Sequence, residues 1–228
     1  VIAIEGLSAG YDGVPVVPDL DLTFERGEVV ALLGRNGMGK TTLLRTIAGQ
    51  LPSLAGSVSV AGRMLRRGRP ESAARAGLSF LPDDRGVFPT LSVTENLALA
   101  RRRDYTPPID VAEIFPVVRE RAGVAAGSLS GGQKQQVGLA RAILAGERAI
   151  LVDEFSQGLQ PSLVLSVLGA LRELADHGTT VVLVDQSPHP LVEFATRVLA
   201  MEKGRIVLDA PAAEVADDPQ RLLQFLVV

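Results

Sequence analysis

The sequence predicts an α/β fold: a largely parallel sheet flanked by helices, with an antiparallel β region and a small inserted helical subdomain. Three observations carry that reading. Apolar runs of strand length at 27–34, 78–82, 149–153 and 181–185 alternate with helical patterns at 39–49, 70–77 and 161–177, the alternation expected of a parallel sheet. Gly49 closes the first of these helices and Gly178 the last, where a left-handed residue ends a helix without strain. Residues 92–122 then change texture, with two helix starts and no strand run.

Composition narrows the classes. The 228 residues suffice for one substantial domain with a subdomain inserted. Hydrophobic content of 46% and a mean hydropathy of +0.24 support a large core and argue against disorder. Aromatics at 4% and a net charge of −3 point away from nucleic acid, which asks for stacking platforms and a basic footprint. There is no cysteine, so disulfides and thiolate metal sites are excluded. His177 and His189 are the two histidines, too few for a multi-histidine transition-metal site. No apolar run approaches the roughly 20 residues that span a bilayer. The opening "VIAIEGL" lacks the basic region and cleavage site of a signal peptide. With 20 arginines and only 3 lysines, Lys40 stands out. The runs "RRGR" (66–69) and "RRR" (101–103) read as solvated faces, with anionic headgroups as a second reading.

The elements follow in order. "VIAI" (1–4), "LDLTF" (20–24) and "GEVVALLG" (27–34) read as strands, and 39–49 as a helix. "GSVSVAG" (56–62) is a short strand bounded by glycines, 70–77 a short helix and "LSFLP" (78–82) a strand. Ser92 with Glu95 and Asp110 with Glu113 form two capping-box patterns, separated by the "DYTPP" break at 104–108. After "SLSGGQ" (128–133) a helix runs to about Leu144, followed by the strand "AILVD" (149–153). A helix from Pro161 to His177 leads to the strand 181–185. Residues 197–210 read as a hairpin turning at Lys203-Gly204, and the tail as helical.

Chemistry concentrates at two strand ends. "LLGRNGMGKTT" (32–42) fits G-x-x-x-x-G-K-[ST] through Gly34, Gly39, Lys40 and Thr41, between an apolar strand and an apolar helix. Such a loop, Gly34-Arg35-Asn36-Gly37-Met38-Gly39-Lys40-Thr41-Thr42, turns backbone N–H groups inward around phosphates, aided by the helix dipole. Lys40 would reach the β- and γ-phosphates and the Thr41 hydroxyl would ligate Mg²⁺. The alternative is a glycine-rich turn that matches by chance. The strand 149–153 delivers Asp153 and Glu154 to its carboxyl end. There Asp153 suits Mg²⁺ and Glu154 suits a base for an attacking water. Alone, the same pair could be capping acids after a core strand.

Leu129-Ser130-Gly131-Gly132-Gln133, leading into a helix, has no use in a P-loop kinase or a GTP switch. The order of phosphate loop, helical insert, LSGGQ and acidic strand end resembles the nucleotide-binding subunits of ABC transporters. The resemblance runs from Tyr11 to the hairpin at 197–210, essentially the whole chain. It implies the P-loop NTPase ABC-ATPase fold as one domain over 1–228. A RecA-like core would occupy 1–82 and 134–228, and a helical subdomain about 83–133. It implies ATP and Mg²⁺ as cofactors. The Ser130 hydroxyl and the N–H groups of Gly131 and Gly132, at a helix start with Gln133, make a second anion cradle. In the family that cradle closes on the γ-phosphate held by a second ABC ATPase subunit, identical or related, paired head to tail. Separate transmembrane permease subunits and an extracytoplasmic solute-binding protein complete the implied assembly. Nucleic acid has no place in it. The implied location is peripheral, at the cytoplasmic face of the cell membrane.

Further positions follow by match. Tyr11, in "LSAGYDG", stands where the family stacks an aromatic ring on adenine; otherwise it is an ordinary turn tyrosine. The segment 82–97 resembles the loop that senses nucleotide and contacts the permease, with Phe88 a contact residue. Asp83 replaces the usual Gln; a carboxylate there could ligate Mg²⁺ but not donate to a water. Phe155 replaces the usual Pro after the catalytic Glu154, and "SQGLQP" (156–161) lacks an Asp common in relatives. By register the switch that contacts the γ-phosphate, usually His, is Gln186, and His189 is a surface or helix-start residue. The segments "GRNGMGKTTLLRT", "RGVFPTLSVTENL" and "DEFSQGLQPS" most resemble subunits serving branched-chain amino acid or urea/amide import. A soluble single-cassette ATPase acting in cofactor assembly is the rival reading, and a regulator without turnover a third.

Overall fold

A computed structural model gives the architecture, and it describes residues 1–185, 188–218 and 220–226. The strands are β1 (Ile2–Tyr11), β2 (Val14–Phe24), β3 (Val29–Leu33), β4 (Ala55–Val60), β5 (Arg63–Met64), β6 (Leu78–Leu81), β7 (Ala149–Val152), β8 (Thr180–Val184), β9 (Arg197–Glu202) and β10 (Arg205–Pro211). The helices are α1 (Lys40–Ile47), α2 (Pro70–Arg75), α3 (Val93–Ala100), α4 (Val111–Ile114), α5 (Val117–Glu120), α6 (Gly131–Ala145), α7 (Pro161–Asp176), α8 (Pro188–Phe194), α9 (Ala212–Asp217) and α10 (Gln220–Leu226). They build two sheets. One is antiparallel, in the order β2-β1-β4-β5; the other runs β10-β9-β3-β8-β7-β6. In the second sheet β9, β3, β8, β7 and β6 are parallel and β10 is an antiparallel edge.

The continuous apolar runs have a simple cause: the central strands are buried on both faces. Along β3, Val29, Ala31 and Leu33 enter one core while Val30 and Leu32 enter the other. In β7 and β8 the same alternation holds, with Ile150, Val152, Val181 and Leu183 on the first side and Leu151, Val182 and Val184 on the second. The first core packs against α6 and α7 and reaches Val93, Val111 and Phe115; the second packs under α1 and the antiparallel sheet.

The first hairpin is longer than the sequence suggests. The expected strands 1–4 and 20–24 are the two ends of a ribbon that continues to Tyr11 and Val14. The register slips between Ile4 and Leu7, Leu7 and Ala9, and Ala9 and Gly10. These irregularities break the alternation on which a strand is recognised. Pro15 and Pro18 also mask β2, but β2 is a sheet edge, where a missing N–H is tolerated. In the helical stretch, Ser92 and Glu95 form both bonds of a capping box. Asp110 makes only half of one: its side chain accepts from the Ala112 N–H, and Glu113 does not reciprocate in the cap. The helices there, α4 and α5, are correspondingly short.

One surface pair ties the sheet edge down. Arg197 Nε and Nη2 each donate to Asp209 at 2.7 Å, and Nη1 donates to the Thr23 carbonyl at 2.8 Å. The bond to Arg197 holds the Asp209 carboxyl below its ordinary range. A depressed folded value means the contribution is present above about pH 4, the unfolded carboxyl range, and is lost as pH falls through the lowered value. Asp209→Asn is therefore expected to cost about 1 kcal/mol at pH 7, a partly exposed pair being screened. The gap from the parent should close towards pH 3; urea unfolding at both pH values checks it, and an equal loss at both contradicts it.

Candidate functional site

The phosphate loop joins β3 to α1 and sits at the carboxyl ends of β3, β8 and β7, which are neighbours in the sheet. Its glycines take left-handed φ values: +141° at Gly34, +77° at Gly37 and +101° at Gly39. At Gly34 close packing adds to the conformational demand, since a Cβ would lie 2.4 Å from the Met201 carbonyl of β9. The turn between β9 and β10 buttresses the loop, with the Gly204 N–H donating to the Met38 carbonyl at 3.0 Å. Thus the hairpin far along the chain shapes a loop near its beginning.

A cleft of about 130 Å³ opens there, lined by Val16, residues 36–42, Asp153, Glu154, Val184 and Asp185. Lys40 is 7% exposed, and its Nζ donates to the carbonyls of Gly34 and of Arg35, the latter at 2.9 Å. An ammonium carries three donors, so one more can face a ligand without breaking either bond. Burial pulls the Lys40 pKa down, and the charges of Asp153 and Glu154 oppose that shift. A buried cation beside a cleft lined by a glycine-rich loop favours a polyanion. A larger cleft of about 470 Å³ lies elsewhere, between α2, β6, α3 and α6, and contains no phosphate-loop residue.

Asp153 is 2% exposed, and its Oδ2 is buried without a hydrogen-bond partner. Burial raises its pKa; a side-chain bond with Thr41 opposes the rise and the nearby Asp83 charge adds to it. An unsatisfied buried carboxylate oxygen beside a threonine hydroxyl fits a hard cation. Among the described residues no cluster of three or more His, Cys, Asp or Glu is placed to hold a metal ion. Asp83 Oδ1 lies 2.9 Å from Arg45 Nη2, and the Asp83 charge reaches Asp153.

Glu154 adopts φ +49°, an uncommon conformation for a non-glycine residue, and strain of this kind gathers at functional sites. Its backbone is held by Gln135 of α6, whose Nε2 donates to the carbonyls of Glu154 and Phe155 at 3.2 and 3.0 Å. Phe155 is fully buried, and its N–H donates to the Val184 carbonyl at 3.0 Å, a bond proline could not make. Asp185 Oδ2 accepts from the Ser156 N–H at 2.7 Å and anchors the loop that follows. Val16, Gln135 and Asp185 are thus site residues that motif reading missed. A glutamine five residues beyond the LSGGQ serine was a faint sign at most.

The LSGGQ segment opens α6 and does not line this cleft. Ser130 caps α6 in a capping box: its Oγ accepts from the Gln133 N–H at 3.3 Å and Gln133 Oε1 accepts from the Ser130 N–H at 3.0 Å. Both groups therefore shape the helix start, while the serine proton can still be donated. Gly132 has no room for a side chain, because a Cβ would stand 2.2 Å from the Gly158 carbonyl. Tyr11 also stands outside the cleft, 46% exposed at the end of β1 and close enough to Arg45 to influence it. Burial lowers the Arg45 guanidinium, but Asp83 and then Tyr11 raise it above its ordinary value. Gln186 lies outside the described residues. His189 has an 82% exposed side chain with Nε2 3.1 Å from Glu193, as a surface residue would.

A glycine loop between a parallel strand and a helix, facing two acids at the carboxyl end of the next strand but one, defines a P-loop nucleotide-binding protein. The family model for ABC transporters matches residues 17–157. The chain is 33% identical over 226 residues to the high-affinity branched-chain amino acid transport ATP-binding protein BraG of Pseudomonas aeruginosa, covering 96% of this chain and 97% of that one. It is 34% identical over 233 residues to the glutamate/aspartate import ATP-binding protein GltL of Escherichia coli K12, covering 96% and 95%. The chain belongs to the ABC transporter family. A solved dimeric ATP-binding cassette in a post-hydrolysis state, bound to ADP and Pi, superposes with a TM-score of 0.81 over 93% of this chain and 99% of that one. A nucleotide-free cassette does so with 0.81 over 100% and 99%. Both are 20% identical and speak to the fold alone.

Proposed function

We propose that the chain is the ATP-binding and ATP-hydrolysing subunit of an ABC importer, serving branched-chain amino acids or a similar small polar solute such as urea or amides. The observation that carries the reading is one cleft shared by Lys40 and Thr41 on one side and Asp153 and Glu154 on the other. The backbone of residues 34–42 cradles the phosphates, and Lys40 donates a hydrogen bond to them through its third N–H. Thr41 and Asp153 hold Mg²⁺, with Asp83 close by. The bound ion neutralises phosphate charge. Glu154 accepts the proton of the water that attacks the γ-phosphorus, while the bond to the bridging oxygen breaks and its electron pair leaves with ADP. Gln186 contacts the γ-phosphate by a neutral amide, which carries no titration at neutral pH. Tyr11 stacks on adenine.

The cradle of Ser130, Gly131, Gly132 and Gln133, lying off the cleft, serves the ATP of a second ATPase subunit. Nucleotide is then part of a two-fold interface, and its cleavage removes a contact that holds the pair closed. No helix among the described residues is long and apolar enough to cross a membrane. Separate permease subunits supply the pathway, and the chain sits peripherally at the cytoplasmic face. The groove of about 470 Å³, with the loop bearing the exposed Phe88, is the permease contact. The test is uptake of labelled leucine, glutamate and urea in cells lacking the gene. Leucine or urea uptake should be lost and restored by the chain. Loss of none of them, with no phosphate release from ATP by the purified chain, overturns the assignment.

A further inference from the structure

The Glu154 side chain is held from a direction the family motifs do not name. Gln157 Nε2 donates to Glu154 Oε2 at 2.8 Å. The Gln157 Oε1 accepts from Arg85 Nη2 at 2.9 Å, and Arg85 lies 72 residues earlier, in the loop after β6. We infer that Arg85 and Gln157 form a positioning relay that orients the Glu154 carboxylate, an inference that rests on Glu154 being the base.

The chemistry of the three groups fixes the direction. A guanidinium only donates and an ionised carboxylate only accepts. A glutamine between them is satisfied in one orientation alone, oxygen to Arg85 and nitrogen to Glu154. Arg85 therefore decides which way the amide points, and the amide decides where one carboxylate oxygen rests. Both ends of the relay hold unusual backbone, with φ +70° at Arg85 and +49° at Glu154. Arg85 is a fixed post. Its N–H donates to the Pro82 carbonyl at 2.9 Å. Helix α6 closes over it: a Cβ at Gly138 would meet the Arg85 carbonyl at 2.8 Å, and one at Gly131 would meet Nη2 at 3.5 Å. Arg141 of the same helix donates to the next carbonyl, Gly86, and lies over the Phe88 ring at 4.9 Å. Gln135 thus fixes the Glu154 backbone from α6, and the relay fixes its side chain from the loop after β6. Both relay bonds are exposed, so they add little to folding, and an effect on turnover can be separated from one on stability.

The experiment is a double-mutant cycle on the ATPase of the full chain, with Arg85→Ala, Gln157→Leu and the pair. Each single is expected to lower kcat by on the order of 10- to 100-fold through misplacement of the base. KM for ATP should stay within about twofold and melting should be unchanged, as positioning alone requires. The pair should be no slower than the worse single, because either substitution breaks the same chain. Multiplying losses, or parent-like kcat in either single, overturns the relay. Glu154→Gln is run alongside. If it turns over like the parent, the base assignment itself has failed. If it is inactive while the singles run normally, the relay alone has failed.

Discussion

Glu154→Gln is expected to lower ATP turnover by about 10²- to 10⁴-fold, the usual share of a positioned general base. Gln is nearly isosteric and keeps an acceptor oxygen, so the φ +49° backbone and the Gln135 bonds to the carbonyls of Glu154 and Phe155 should survive. Only the ability to take a proton is lost. ATP binding should persist, and because uncleaved nucleotide keeps both halves of the interface together, the variant should form a dimer that ATP stabilises. Phosphate release measures the first effect, and size-exclusion chromatography with and without ATP the second. Parent-like turnover would remove Glu154 from the role of base. A variant that is inactive but stays monomeric with saturating ATP would instead count against the head-to-tail pairing.

Lys40→Ala is expected to weaken ATP binding by on the order of 10²-fold or more, since deleting one partner of a buried charge-assisted contact costs about 2–5 kcal/mol. The loop itself should largely persist, because its glycine conformations and its packing on Met201 and Gly204 do not depend on the ammonium. The carbonyls of Gly34 and Arg35 do lose their donor, so some loss of melting temperature accompanies the change. Equilibrium binding of a fluorescent ATP analogue separates the two effects. Unchanged affinity would show that the cleft at 36–42 is not the phosphate site.

Much of this site was legible because its parts are local. The phosphate loop and LSGGQ specify their own backbone within about ten residues, through glycines that allow inward N–H groups and a serine that caps a helix. Ser92 with Glu95 was readable for the same reason, and the apolar runs 29–33, 149–152 and 180–184 announced strands buried on both faces. Asp110 shows the limit of such reading: the pattern was present, but only half of the cap forms. The β1–β2 ribbon shows another, since its slipped register hides the strand period.

By itself, the sequence determined the α/β class, the two glycine-rich loops that open helices and the acids set at a strand end. These depend on residue types at fixed short spacing. The tertiary structure decided which strand ends meet. The order β3-β8-β7 brings Lys40 and Asp153 to one cleft, although 113 residues separate them in the chain. It also decided that Asp83 pairs with Arg45, that Phe155 bonds to Val184, and that Arg85 reaches Glu154 through Gln157. These contacts leave no periodic trace in the chain, because they follow from sheet order and helix packing, and a side chain's partner at long range is set by neither propensity nor spacing.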